Sequence, residues 1–169
     1  MFAILNVFMS IATFETVSKE QFNRDLKDLL GLDENCFDQI SLPRRATRGS
    51  AGYDFCCPVD LILHAHESIR IPTGIRCKMK EGYVLQLYPR SSLGFRYHLC
   101  LLNTVGIIDS DYYHADNEGH IIAGLINESD KDLVLKAGDR FIQGVFLKYE
   151  TAEEEETAKE RHGGFGSTN

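Results

Sequence analysis

The sequence predicts an all-β subunit preceded by one short helix, and three observations predict it. From Leu42 onward, apolar and polar residues alternate in short runs. Gly, Pro and Asp turn chemistry separates those runs, and no helical stripe stands between them. The one stripe with helical spacing lies upstream, between Ser18 and Gly31. Many short strands without intervening helices indicate a sandwich, a jelly roll or a barrel.

Met1 to Met9 (MFAILNVFM) is mildly apolar but has no basic n-region and no small-residue cleavage site. It is too short to span a bilayer and reads as a disordered or strand-like leader. Ser18-Lys-Glu-Gln21 reads as a capping box, in which the Ser18 hydroxyl and the Gln21 side chain satisfy free amides. Phe22, Leu26, Leu29 and Leu30 form one helical stripe, and Gly31 supplies the left-handed stop. This helix is expected to dock on the core or on a neighbouring subunit, with no chemistry of its own.

Ile69 and Ile71 then alternate with Ser68 and Arg70, Pro72-Thr-Gly74 turns the chain, and Ile75, Cys77 and Met79 alternate with Arg76 and Lys78. Further strands are expected at Tyr83–Tyr88, His120–Ile126 and Phe141–Leu147, with a turn at Ala137-Gly-Asp139. Thr151 to Glu160 carries Glu153-Glu-Glu-Glu156 and little that can be buried, so it reads as a solvated linker before a mobile tail. The expected organisation is a 1–41 extension with its helix at about 18–30, a 42–150 core, and a 151–169 acidic linker with a glycine-rich arm.

Composition narrows the function. The 169 residues suffice for one domain with appendages, and 43% hydrophobic content means that most of it folds. A formal charge of −7 argues against a nucleic-acid polymer as partner, because polymer binding draws on excess Lys and Arg. A small polyanion remains compatible if basic groups are local and a cation helps. The five cysteines (Cys36, Cys56, Cys57, Cys77, Cys100) are odd in number and lack paired CxxC spacing, which argues against disulfides and zinc and suits a reducing cytosol. A cytoplasmic protein without a membrane partner is expected.

Two segments carry chemistry in their own right. Gly106-Ile-Ile-Asp-Ser-Asp-Tyr112 places the Asp109 carboxylate at the end of an apolar run, a seat that can hold and perturb a base. Gly163-Gly-Phe-Gly-Ser-Thr-Asn169 offers bare amides, two hydroxyls and one ring, suited to closing over a flat anion. Together they suggest a nucleotide.

Five segments, in order, resemble the five signature motifs of the trimeric deoxyuridine triphosphatase (dUTPase) family. They are Ala51-Gly-Tyr-Asp54, Pro89-Arg-Ser-Ser-Leu-Gly94, Asn103 through Tyr112, Gly138-Asp-Arg-Phe-Ile-Gln143 and Gly163-Gly-Phe-Gly-Ser-Thr168. Each is weak alone; five in register are a strong signal. The resemblance covers essentially everything after Leu42. It implies a distorted jelly-roll barrel, a homotrimer with active sites shared among chains, dUTP as substrate, and dUMP and pyrophosphate as products.

The same resemblance assigns residues. Asp109 looks like the general base that deprotonates the water attacking the α-phosphorus, and Gln143 like the glutamine that holds a water or phosphate oxygen near the metal. Tyr112 matches the ring that packs on the deoxyribose and leaves no room for a 2′-hydroxyl. Asn103 stands where an amide contacts the uracil edge, and Ile108 belongs to the same substrate-binding motif. Arg90 and Ser91 look like the phosphate cradle; Ser92 stands where the family usually has glycine. Phe165 resembles the ring that stacks on uracil, with Gly166, Ser167 and Thr168 donating to phosphate. The arm's cation, usually five residues before that ring, is displaced here; Arg161 is the expected one, with Lys159 nearby. Asp54, Asp111 and Arg140 are expected in structural or supporting roles, Asp111 on the same side as Asp109 if the chain there is extended. Mg²⁺ is the implied cofactor, carried by the triphosphate and water without direct protein ligands.

A departure follows Tyr112. The family commonly runs through a short Arg-Gly-Glu turn, whereas this chain has Tyr113-His-Ala-Asp-Asn-Glu-Gly-His120. This insert reads as a lengthened hairpin loop with His114 and His120 exposed. The helix and the insert leave room for a regulatory protein partner. The homologous dCTP deaminases need a glutamate in the strand after the third motif, and His120-Ile-Ile-Ala-Gly-Leu-Ile126 holds no carboxylate.

Overall fold

The computed structural model describes residues 10–33 and 35–152; the residues assigned to the arm, from Arg161 to Thr168, lie outside the described residues. The chain runs β1 (Ala12–Thr16), α1 (Lys19–Leu30), β2 (Arg44–Arg45), β3 (Tyr53–Cys56), β4 (Leu61–Leu63), β5 (Ser68–Pro72) and β6 (Ile75–Met79). It continues through β7 (Tyr83–Pro89), α2 (Ser91–Tyr97), β8 (Leu99–Leu101), β9 (Gly106–Ile108), β10 (Ile122–Asn127), β11 (Leu133–Leu135) and β12 (Arg140–Lys148). Short 3-10 turns occupy Phe37–Gln39 and Ser110–His114. Strands therefore dominate, as the alternating pattern predicts, and α2 is a helix that the pattern did not announce.

Among the described residues the strands form four sheets. The largest has the order β2-β3-β12-β7-β9, with β12 hydrogen-bonded along both edges. The others pair β1 with β6, β5 with β10 and β8, and β11 with β4. Pairing is antiparallel throughout, so one face of each strand can enter the core while the other meets water. On β6 the alternation is clean: Ile75, Cys77 and Met79 are buried, and Arg76 and Lys78 are not. Phe55, Phe141, Leu85, Leu87 and Ile71 fill the centre, each contributing about 1.5–3 kcal/mol on burial.

Strand β1 lies in the segment expected to precede the core. It pairs with β6 from Ala12↔Met79 to Thr16↔Ile75. Its Phe14 ring packs 5.4 Å from Tyr53, 5.6 Å from Phe55 and 5.7 Å from Phe146. That single ring is its main apolar anchor, so the strand leaves little periodicity to read.

Helix α1 docks on its own chain. Phe22 and Leu26 are fully buried in a second cluster with Val17, Cys36 and Val59, whereas Leu29 and Leu30 are half-buried. Ser18 Oγ accepts from the Gln21 N–H at 3.1 Å, and the helix stops at Gly31, whose φ of 67° is left-handed. The second half of the expected capping box is replaced. The Ser18 N–H donates to Glu118 at 2.7 Å, and Gln21 Nε2 donates to Asp25 at 2.8 Å.

The insert after Tyr112 is not an exposed hairpin loop. It begins with the Ser110–His114 3-10 turn and folds back onto α1. His120 is fully buried rather than exposed, and β10 begins at Ile122, two residues later than expected. His120 Nε2 accepts the Gly74 N–H at 2.7 Å, so the ring proton sits on Nδ1 and is donated to Asp25. Ligand geometry for a metal is absent at this ring: among the described residues, no group of three or more His, Cys, Asp or Glu could hold a metal ion. Among the described residues, no helix is long and apolar enough to cross a membrane.

Phe22→Ala removes the ring that seats α1 and should cost about 3–5 kcal/mol, read from the denaturant midpoint; an unchanged midpoint contradicts this packing. A pH effect follows from Asp25. Burial pushes its carboxyl up, but hydrogen bonds from His120 and Gln21 outweigh burial and hold it below the ordinary 3.8. The stability it adds is therefore full above 3.8 and lost as pH falls through the lower folded value. Asp25→Asn should flatten that acid limb in denaturation curves, and an identical limb would remove the carboxylate from the account.

Candidate active site

The residues expected to face phosphate gather around β12. Register places Gln143 opposite Asp54 on β3 and opposite Tyr88 on β7. Asp54 is buried, and its two oxygens face two guanidiniums: Arg90 Nε at 3.3 Å and Arg140 Nη1 at 3.2 Å. Arg140 is thus an ion-pair partner within its own chain. Two guanidiniums against one carboxylate leave one positive charge at this corner, the right sign for a phosphate. A carboxylate between them also holds both forks in place, and its loss would leave two cations facing each other. Backbone follows the same plan, with the Arg90 N–H donating to the Phe141 carbonyl at 3.1 Å. Ser91 and Ser92 are exposed in the first turn of α2, so a side chain at the position usually held by glycine fits without crowding a buried loop.

The segment that carries the expected base, Asp109, lies on the other side of β7. Asn103 is exposed in the turn that joins β8 to β9, where Thr104 takes a φ of 65°. Strand β9 pairs Ile108 with Leu85, which half-buries Ile108 against the core. Asp109 follows in extended backbone (φ −82°, ψ 161°) as the residue capping the Ser110–His114 turn, and the Tyr112 N–H donates to its carbonyl at 3.3 Å. Because the chain turns there, Asp111 does not share a side with Asp109 as an extended strand would require; it is exposed in the first turn. Tyr112 is 5% exposed, and its hydroxyl donates to the His120 carbonyl at 2.8 Å.

One chain does not bring these two groups together. The β7–β9 register puts Asp109 beside Val84, and Arg90 follows the far end of β7. Six residues of strand separate them, roughly 20 Å at ~3.3 Å per residue. A base acts within hydrogen-bond reach or through one water, so this span is far too long for Asp109 to serve a phosphate held by its own Arg90.

Sequence reasoning passed over Asn117, Glu118 and Asp25. Asn117 Nδ2 donates to Tyr112 Oη at 2.8 Å, and Glu118 accepts from Ser18. The Ser18 hydrogen bond holds the Glu118 carboxyl below its ordinary range. The Asn-Glu-Gly run was the available signal, since Asn and Gly mark a tight turn next to a site residue.

Comparison with known proteins identifies the family. Residues 38–169 match the family model described as dUTPase. The chain is 42% identical over 132 residues to the deoxyuridine 5′-triphosphate nucleotidohydrolase of Lactococcus lactis subsp. lactis, covering 76% of this chain and 88% of that one. It is 37% identical over 137 residues to the protein of that name from Hydrogenobaculum sp., covering 78% and 92%. Its fold superposes on the crystal structure of dUTPase from Streptococcus mutans with a TM-score of 0.65 at 37% identity, covering 83% of this chain and 98% of that one. With a family match across three-quarters of its length, and structural relatives of jelly-roll-like fold, the chain belongs to the dUTPase family.

Proposed function

We propose that this chain is a Mg²⁺-dependent dUTP diphosphatase that yields dUMP and pyrophosphate, limiting uracil in DNA and supplying dUMP for dTMP synthesis. The observation that carries the reading is the pairing of a positively charged cradle, Arg90–Asp54–Arg140 with Gln143, with a separate base-bearing segment from Asn103 to Tyr112. Both halves fall inside the family match.

In the reaction, Asp109 accepts a proton from water as the water oxygen bonds to the α-phosphorus. The bond from that phosphorus to the α,β-bridging oxygen breaks, and the electron pair leaves with pyrophosphate. Arg90, Ser91 and Ser92 bind phosphate oxygens, and their fixed charge stabilises negative charge as it builds. Gln143 orients a water or phosphate oxygen. Asn103 donates to and accepts from the uracil edge, Ile108 lines the pocket and Tyr112 walls off a 2′-hydroxyl. Phe165 stacks on the uracil, worth roughly 1–3 kcal/mol, while Arg161, Gly166, Ser167 and Thr168 close over the phosphates.

Residues at the cradle fit a cation that arrives with the triphosphate and keeps its waters, not one ligated by the protein. Asp54 is engaged by two arginines, and the Gln143 side-chain carbonyl beside it can accept a hydrogen bond from a metal-bound water. When bound with the triphosphate, Mg²⁺ offsets phosphate charge and acts as a Lewis acid.

The span from Asp109 to Arg90 supports a site shared between copies, in a homotrimer where the base of one chain meets the cradle of another. Apolar exposure in the single chain supports it too: Phe95 is 87% exposed and Ile107 50%. The partner is a small nucleotide rather than a nucleic-acid polymer, and the setting is cytoplasmic.

Pyrophosphate should appear from dUTP with Mg²⁺ and not from dCTP or dTTP; release of ammonia from dCTP would indicate a deaminase, and no turnover a non-catalytic module. Asp109→Asn should lower turnover by on the order of 10²–10⁴ while nucleotide affinity stays near wild type, and substantial residual turnover would count against the base. Removing the residues after Arg161 should abolish most activity with the thermal midpoint of the core unchanged. A truncated protein that hydrolyses dUTP normally would end the arm's role.

A further inference from the structure

The insert between Tyr112 and β10 departs from the family motif, and it carries an arrangement that the reaction above leaves unused. Tyr112 Oη is held from two directions: it donates to the His120 carbonyl at 2.8 Å and accepts from Asn117 Nδ2 at 2.8 Å. The same amide also reaches the His120 carbonyl at 3.2 Å, and Asn117 Oδ1 accepts the Gly119 N–H at 3.2 Å. Gly119 has a φ of 70°, and a Cβ there would meet the Tyr112 carbonyl oxygen at 2.7 Å, so only glycine lets the turn close onto Tyr112.

The outer side of the insert is anchored to the N-terminal part of the chain. His120 is buried between the Gly74 N–H and Asp25, with Phe22 of α1 against its ring at 6.2 Å. Glu118 accepts from both the N–H and the hydroxyl of Ser18, the residue that caps α1. The Arg76 guanidinium lies 3.6 Å from the centre of the Tyr113 ring, whose hydroxyl donates to Glu15 of β1 at 2.7 Å. Contacts from Tyr113, Glu118 and His120 thus tie the insert to β1, α1 and β6, and its inner end is the Tyr112 hydroxyl.

We propose that Asn117 is a positioning residue for Tyr112, and that the insert, locked onto α1, sets the aim of the ring that shuts out a ribose 2′-hydroxyl. The inference rests on the reading of Tyr112 as the sugar-facing ring. Steric exclusion needs a fixed wall. An apolar pocket rejects an added hydroxyl by only ~10²-fold, and a displacement of about 1 Å is enough to forfeit an effect of that size. A ring pinned at its hydroxyl by a buried turn cannot tilt away from the sugar; a ring released from it can.

The test measures kcat and KM for dUTP and UTP in the full chain and its variants. Asn117→Ala should lower the ratio of kcat/KM for dUTP over UTP about tenfold or more, through gain on UTP, with kcat for dUTP within about threefold of wild type. Tyr112→Phe, which removes both hydrogen bonds of the hydroxyl and leaves Asn117 bonded to the His120 carbonyl, should lower the ratio at least as far. The double variant should show no drop beyond that of Tyr112→Phe, because the Asn117 hold on the hydroxyl is already lost with the hydroxyl. Full discrimination in Asn117→Ala, or a loss that adds to that of Tyr112→Phe, overturns the inference. Should Asn117→Ala fail to fold, Tyr112→Phe decides alone, and unchanged discrimination refutes the pinning. Tyr112→Ala separates the two layers. If it keeps full discrimination, the sugar-facing reading of Tyr112 falls and the inference with it; if it loses discrimination while Asn117→Ala does not, only the inference falls.

Discussion

The double pairing of β12 is the constraint on which the rest of the molecule depends. One strand of nine residues is bonded to β3 on one side and β7 on the other, and its register decides what meets what. It sets Gln143 across from Asp54, brings Arg140 to the same carboxylate and ties the start of α2 to Phe141 through Arg90. Through β7 the same register fixes where β9 ends, and so where Asp109 emerges. A shift of one residue would turn every side chain of β12 to the opposite face, exchanging Phe141 for Arg140 in the core. The burial of Phe141 and Ile142 makes that shift prohibitive. Packing energy therefore holds the geometry of the polar corner, which by itself contributes little net stability.

Those parts of the fold governed by short-range periodicity were legible. Strand β6 alternates cleanly, and β7 and β12 carry long apolar runs between recognisable turns. Helix α1 was visible from its cap and stripe. Strand β1 was not, because one phenylalanine in five residues leaves no pattern. The character of His120 was hidden for a different reason. Its partner Asp25 lies 95 positions away, and Glu118 meets Ser18 across 100. A polar side chain is buried when its hydrogen bonds are met, and no local window reveals a partner so distant.

The site divides in the same way. Asp109, Tyr112, Arg90 and Gln143 could be named as candidates because each sits in a segment that resembles a family motif. Their mutual distance could not, since it is a property of strand register. The Asp54 clamp illustrates the gap. Its three members occupy three separate motifs, and nothing in any one of them says that both arginines share one carboxylate.

Thiol chemistry follows from where the cysteines lie. Burial pushes Cys57 and Cys77 up to about 12, so both stay protonated and slow toward electrophiles under ordinary conditions. Among the described residues Cys100 is the exposed cysteine, on β8 and three positions from Asn103. Nature has thereby left a convenient attachment point for a reporter dye close to the turn proposed to read uracil, with the buried sulfurs of Cys36, Cys57 and Cys77 shielded from the same reagent.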